Sequence, residues 1–400
     1  MTYRIGSVCL LLCGLTTELA AQTPPPSVTT SFGVDTTITE VRDIVRLTRA
    51  YLAQPDASAR SRGLWSHSPA DTRYGDLAME AYAGFPATII GVTGAVPGDS
   101  VFAVKIIHGS ADSGGTHLKP ITLQRLYAVR APGSPYGWQL SSPLPRLTRP
   151  WAHRDFGRIT YWYAPGITPS PKKGLQASRF VDSVAKLFSV NPPSHLDAYL
   201  TATMDEGLRL IGLDFSLENS GPGSGFGGRG GGAGDFLILG DPRIGEAYLH
   251  ELVHSVLGPT LQSRNSIFNE GVASWLGGSQ NLSPRDLYVG LQAYQRSHAN
   301  ISLLDLLQGG GGEDHHAVVA SYGTRALIAD SIYRSSGISG LKRFAQLTGR
   351  PADLIAALPG YIAGMANDPN LWWRSETAAS NALPSPATSA VLKPDETAIV

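Results

Sequence analysis

The run from Asp241 to Gly258, DPRIGEAYLHELVHSVLG, constrains this chain most, because it sets two histidines and a glutamate at the spacing His-Glu-x-x-His. Asp241 is a good N-cap, Pro242 suits a first helical position, and Gly258 with Pro259 are stop signals, so the pattern predicts a helix bracketed by them. Side chains four residues apart on a helix are stacked neighbours. His250 and His254 can therefore aim ring nitrogens at one divalent ion without distorting the backbone. Glu251 lies a little way round the helix from both, within reach of a water on that ion and not placed to bind the ion itself.

A catalytic zinc keeps three protein ligands and leaves its fourth position to water, so a third ligand must come from elsewhere. The extended motif with Gly and His further along is excluded, since Leu257 and Thr260 occupy those places. The next segment, SIFNEGVASWLGG from Ser266 to Gly278, reads as a short helix ended by a double glycine. Glu270 sits in it among Ile267, Phe268, Val272, Ala273, Trp275 and Leu276. A carboxylate in so apolar a run is either a cap or a buried group with a partner, because an unpaired buried charge is costly. Two neutral imidazoles and one carboxylate make a His2Glu zinc set.

HELVH followed by FNEGVASWLGG resembles the gluzincin metallopeptidases, in particular the peptidase-MA-like domains of exported bacterial proteins. The resemblance implies zinc (Zn2+) held by His250, His254 and Glu270, Glu251 as general base, and hydrolysis of a peptide or protein substrate through a metal-activated water. It also implies an edge strand ahead of the motif helix that pairs with the substrate backbone, for which Phe236 to Leu239 (FLIL) is the candidate. Tyr322, in SYGTRALIADSIY, stands where family members often carry an oxyanion-binding tyrosine or histidine; a core tyrosine on a helix is the plainer reading. Two features depart from the family pattern. Only 15 residues separate His254 from Glu270, fewer than in the aminopeptidase and thermolysin branches, and the Gly-x-Met-x-Asn exopeptidase signature is missing. The alternative is a catalytically degenerate domain that binds peptides or cell-envelope material, against which the intact Glu251 argues. Hydrolysis of a non-peptide amide or ester would use the same ligands.

Residues 1–21 have the parts of an export signal: Arg4, an apolar stretch from Ile5 to Leu15, and Leu19-Ala20-Ala21 before Gln22. The expected location is secreted or periplasmic. The stretch is too short to span a bilayer, so no stable membrane insertion is expected. Cys9 and Cys13 both lie in it, which leaves no cysteine for disulfides or metal after cleavage. With 32 basic and 32 acidic side chains and a pI near 7.2, nothing in the charge balance points to a nucleic-acid partner.

The expected fold class is α+β, in two domains. Residues 22–34 read as a linker. Residues 35–145 form a small helix-plus-antiparallel-sheet domain: a helix from Thr39 to Leu52, then strands at Ala87–Thr93, Val101–His108, Ile121–Arg130 and Trp138–Ser141. In element order alone it resembles a cystatin or NTF2-like shape. His108 and His117 are expected on its surface. Past a proline-rich junction at Pro143–Trp151, residues 152–372 form the metallopeptidase-like domain, with a mixed sheet and a helical C-terminal lobe. It opens with a strand at Arg158–Tyr163, a helix at Gly174–Phe188, a strand at Leu196–Thr201 and a helix at Asp205–Gly212. The glycine-rich run Gly221–Gly234 reads as a loop and not as a dinucleotide site, since no strand-to-helix junction with a following acid accompanies it. Helices are expected from the Ser283 cap to about His298 and from His315, itself facing solvent with His316, to Ser335. Residues 373–400 read as a tail.

Overall fold

The computed structural model describes residues 27–380, apart from 55–62, 80–81, 83, 95–99, 112–117, 218–227, 231–235, 241–242, 262, 280, 309–313 and 366–367. The expected export signal, His117 and most of the glycine-rich run lie outside the described residues.

The N-terminal unit runs β1 (Val28–Thr30), α1 (Thr39–Leu52), α2 (Pro69–Tyr74), β2 (Ala87–Gly94), β3 (Val101–Ala111), β4 (Leu118–Arg130), β5 (Trp138–Ser141) and α3 (Leu144–Leu147). The strands lie in the order β1-β2-β3-β4-β5, antiparallel except for the parallel pair β1 and β2. The apolar stripe of α1, with Val41, Ile44, Val45, Tyr51 and Leu52, is buried in the core beside this sheet. Thr48 fits the stripe because its hydroxyl donates to the Ile44 carbonyl at 2.8 Å. Two expectations are corrected here. The linker contains β1, a three-residue strand whose partner lies 59 residues away and which leaves no local signal. His108 is buried, stacked on Tyr82 at 4.1 Å with its Nε2 3.0 Å from the Gln124 amide oxygen.

The chain continues through β6 (Ala152–Phe156), β7 (Ile159–Tyr163), α4 (Pro171–Phe188), β8 (Leu196–Leu200), α5 (Met204–Leu210), β9 (Leu213–Ser216), β10 (Gly228–Gly230) and β11 (Phe236–Leu239). A second sheet has the order β10-β11-β8-β7-β6, parallel at its centre and antiparallel at both ends. Because β10 lies outside β11, the FLIL strand is not an edge, and part of the glycine-rich run is strand and not loop. Strand β9 belongs instead to the first sheet, pairing with β4 on the edge that β5 occupies further along.

Alternation along the strands gives the second sheet two apolar faces. Tyr161, Tyr163, Ala198, Leu200, Leu237 and Leu239 pack toward α4 and the helical lobe. Trp162, Tyr199, Phe236 and Ile238 belong to the core of the N-terminal unit. Asp197 shares that second face. Its carboxylate receives Arg73 at 2.6 Å and the Tyr74 hydroxyl from α2, the Trp162 indole at 2.9 Å, and has His195 Nε2 at 3.2 Å.

The helical lobe comprises α6 (Leu249–Leu261), α7 (Ser266–Gly277), α8 (Pro284–Ser297), α9 (Leu303–Gln308), α10 (His315–Ala345), α11 (Pro351–Ala357) and α12 (Pro369–Ala379). A capping box between Ser283 and Asp286 opens α8, and Gly337, with φ of 62°, breaks α10 where the sequence places its end. The expected tail begins later than residue 373, since α12 carries Trp373 into the core, its indole donating to Thr324 Oγ1 at 3.2 Å. Asp368, whose carboxylate accepts from the Asn370 and Leu371 N–H groups, starts this helix. The class is α+β. Among the described residues no helix is long and apolar enough to cross a membrane.

Candidate metal centre

Helix α6 begins at Leu249, eight residues after the expected cap. Gly245, at φ 65°, starts a 3-10 turn that cannot continue a helix from 241, and Glu246 pins that turn to α4. The buried Glu246 carboxylate accepts from the Ser170 N–H at 2.6 Å and the Tyr163 hydroxyl at 3.0 Å. Lys173 donates to the carbonyls of Arg243 and Ile244 at 3.1 and 2.9 Å. At the other end the helix runs through Gly258 and Pro259 to Leu261. Residues 258–260 are exposed, so water can replace the one bond that Pro259 is unable to donate.

Helix α7 is positioned by Asn265, whose side chain accepts from the Phe268 N–H at 3.0 Å and donates to the Phe344 carbonyl at 2.8 Å. The capping bond sets where Glu270 falls along α7, and the second bond ties the helix start to the end of α10. At the far end of α7 the glycines do more than stop the helix. A Cβ on Gly277 would come within 2.5 Å of the His250 backbone nitrogen, so the two helices meet there only because that residue has no side chain. Gly278, at φ 74°, turns its carbonyl onto His250 Nδ1, which donates to it at 2.7 Å. With the proton fixed on Nδ1, the Nε2 lone pair of the neutral ring faces the centre.

Three ligand atoms converge at that centre. His250 Nε2 lies 3.2 Å from Glu270 Oε2 and 3.2 Å from His254 Nε2, and Glu270 Oε1 lies 3.7 Å from His254 Nε2. Ligand atoms around a tetrahedral zinc with bonds of about 2.0–2.1 Å sit about 3.3 Å apart. Two imidazole nitrogens turned toward each other at that distance repel through their lone pairs unless a proton or a cation lies between them. The donor set and the spacing therefore fit one divalent zinc, and His250, His254 and Glu270 are the metal-competent group among the described residues.

The electrostatics agree with this reading. Burial, opposed by the Glu270 charge and helped by His250, holds His254 down to about 4 and hence neutral at pH 7. Partial burial works against charge on Glu270, yet the hydrogen bond and charge of His250 bring its carboxyl down to about 2. Burial works against charge on His250 too, but Glu270 outweighs it and raises its pKa. A proton on His250 thus occupies the place that a cation would take, which is how metal binding competes with protons. Burial, helped by the Glu270 charge and opposed by His250, pushes Glu251 up to about 7. That is the range in which a carboxylate both takes and gives a proton at neutral pH.

Tyr322, on α10, closes the other side: its ring stands edge-on to that of His250 at 5.7 Å, and its hydroxyl shares a hydrogen bond with Ser279. Burial raises that hydroxyl to about 12, so it stays a donor. His315 and His316 are exposed at the start of α10, as their position past the Asp314 cap suggests. Sequence reasoning missed the Gly278 carbonyl, Ser279 and Arg325. The glycine pair held a signal that was read only as a stop, and Arg325 lies three residues beyond Tyr322 on the same helix face.

No family model matches this chain, and no curated protein matches it. Solved structures similar to it include an M1 zinc metallopeptidase variant from Deinococcus radiodurans bound to a Tyr-Ser-Ala substrate, with 15% identity and a TM-score of 0.34, covering 73% of this chain and 63% of that one. A two-domain M1 zinc metallopeptidase bound to L-tryptophan gives 14% identity and a TM-score of 0.32, covering 72% of this chain and 63% of that one. The M1 zinc metallopeptidase from Deinococcus radiodurans gives 12% identity and a TM-score of 0.30, covering 75% of this chain and 65% of that one. The chain thus spans less than two thirds of the length of these proteins. Likeness at this level assigns neither family nor activity, so any function rests on the site itself.

Proposed function

We propose that this chain is an exported zinc-dependent peptidase. The observation that carries the reading is the convergence of His250 Nε2, His254 Nε2 and a Glu270 oxygen at zinc-ligand spacing, with Glu251 on the same helix. Zinc held there supplies a Lewis acid for the substrate carbonyl and lowers the pKa of a water from about 15.7 toward 7. Glu251 takes the water's proton and returns it to the leaving amine. Tyr322 donates its hydroxyl proton in a hydrogen bond to the carbonyl oxygen as negative charge builds there. His250 is kept in register by the Gly278 carbonyl, and Glu270 by the Asn265 cap of α7. The backbone of β10, outermost in its sheet among the described residues, offers an antiparallel edge to an extended peptide.

A binding module built on a degenerate site is the competing reading, and it gives no reason for a glutamate next to His250 on the same helix. The test is cleavage of a proteome-derived peptide library by the zinc-loaded protein, with and without chelator. Cleavage that stops with chelator, returns with zinc and is lost in Glu251→Gln is expected. Stoichiometric zinc without cleavage of any peptide would favour the binding module.

A further inference from the structure

Arg325 is a half-buried cation, its Nε closed to solvent, that the reaction outlined above does not use. It lies on α10 one turn beyond Tyr322, where α10 and α7 approach so closely that a Cβ on Gly271 would come within 2.7 Å of the Arg325 carbonyl. Glu270, the residue before Gly271, is therefore its neighbour across the helix pair. The guanidinium is tied back by neutral acceptors alone. One Nη donates to Ser321 Oγ and the other to the Leu307 carbonyl at the end of α9, at 3.2 Å. Its Nε is buried without a hydrogen-bond partner, and no carboxylate forms an ion pair with it among the described residues. Burying a charge without a counterion costs stability. By contrast Arg73, partly exposed, has the Asp197 carboxylate in direct contact at 2.6 Å.

The charged groups nearest Arg325 belong to the metal centre: Tyr322 stands one turn before it on α10, and Glu270 precedes Gly271 on the helix packed against it, and both act on the guanidinium, whose pKa burial lowers. Arg325 thus adds a positive charge one turn along α10 from Tyr322. We propose that Arg325 is a positioning residue for catalysis, a fixed positive charge that stabilises the negative charge developing on the substrate carbonyl oxygen beside Tyr322. It acts through space, because Ser321 and Leu307 hold it back and its Nε is closed to solvent. The charge is in place before reaction, which is what makes such a field effective in a water-poor site.

This inference rests on the peptidase reading, and the test separates the two. Zinc-loaded wild type, Arg325→Met and Arg325→Lys are compared for kcat, KM, zinc stoichiometry and melting temperature, and for affinity toward a phosphinic peptide (an anionic mimic of the tetrahedral state) and a neutral non-cleavable peptide. In Arg325→Met, kcat and phosphinic-peptide affinity are expected to fall together by about 10- to 100-fold. KM, zinc content and affinity for the neutral peptide stay as in wild type, and Arg325→Lys recovers most of the loss. Unchanged kcat in Arg325→Met, or equal loss of affinity for both peptides, overturns the proposal for Arg325 while leaving the peptidase reading standing. A wild type that cleaves nothing with zinc bound overturns the peptidase reading, and the role of Arg325 with it.

Discussion

Two carboxylates in this molecule, the buried Asp197 and the half-buried Glu270, are surrounded by nearly the same residue types and do opposite things. Asp197 has an arginine, a tyrosine, a tryptophan and a histidine around it, and Glu270 has two histidines, a tyrosine and an arginine. Around Asp197 the donors point inward, so the carboxylate is saturated and ties α2 to the second sheet. Around Glu270 the donors point elsewhere: His250 Nδ1 to Gly278, and Arg325 to Ser321 and Leu307. What faces Glu270 is a pair of imidazole Nε2 atoms, at 3.2 and 3.7 Å, between which one proton or one cation can sit. Composition near a buried acid therefore says little, while the direction of the neighbouring N–H and O–H groups separates a structural lock from a cation site.

The largest effect that tests this contrast is on turnover. Glu251→Gln should lower kcat/KM by about 10²- to 10⁴-fold with zinc stoichiometry intact, as read from peptide cleavage and elemental analysis. Turnover at the wild-type level would remove Glu251 from the proton path. Next comes the metal itself. Zinc at about a hundred times its dissociation constant should stabilise chelator-stripped wild type by about 2.7 kcal/mol in denaturant unfolding. His254→Ala and Glu270→Ala should lose that increment, whereas Asp197→Ala should keep it. Asp197→Ala should instead cost about 3 kcal/mol of stability with or without metal, because it leaves Arg73 partly buried without its acid. If Asp197→Ala abolished the zinc increment, the two clusters would not be independent.

A smaller effect is expected with pH. Burial alone would raise the Asp197 carboxyl, but the hydrogen bonds of Tyr74 and Trp162 and the charge of Arg73 hold it below its ordinary value of 3.8. A depressed folded pKa contributes stability that is present above 3.8 and is lost as pH falls through the folded value. Unfolding free energies measured below pH 4 should therefore drop more steeply in wild type than in Asp197→Asn, and parallel curves would count against the ion cluster. The smallest effect is expected at His315 and His316, exposed at a helix start: substitution by Ala should change zinc stoichiometry not at all and stability by less than about 0.5 kcal/mol.

The periodic elements were legible in the sequence. The stripe of α1, the meander β2 to β5, the strand β8 and the boxes and glycines around α7 and α8 all carry their signals within a few residues. What was not legible depends on distant partners. β1 owes its existence to β2, β9 returns to β4 only after β6, β7 and β8 have joined the second sheet, and β10 is glycine-rich backbone held by β11. β6, mostly exposed at a sheet end, has no apolar alternation to betray it. The motif helix was legible by its histidines but not by its start, because Glu246 reaches across to the cap of α4. At the site the His250, His254 and Glu270 cluster could be read from residue types at their spacing. The Gly278 carbonyl and Arg325 could not, since their roles depend on where a carbonyl and a guanidinium point.

The most direct measurement is anomalous diffraction at the zinc absorption edge from crystals grown after chelator stripping and zinc reloading. One full-occupancy peak per chain, enclosed by His250 Nε2, His254 Nε2 and a Glu270 oxygen, is expected. No peak there, or zinc bound with the Glu270 carboxylate turned away from both histidines, would contradict the assignment of these three side chains as a metal centre.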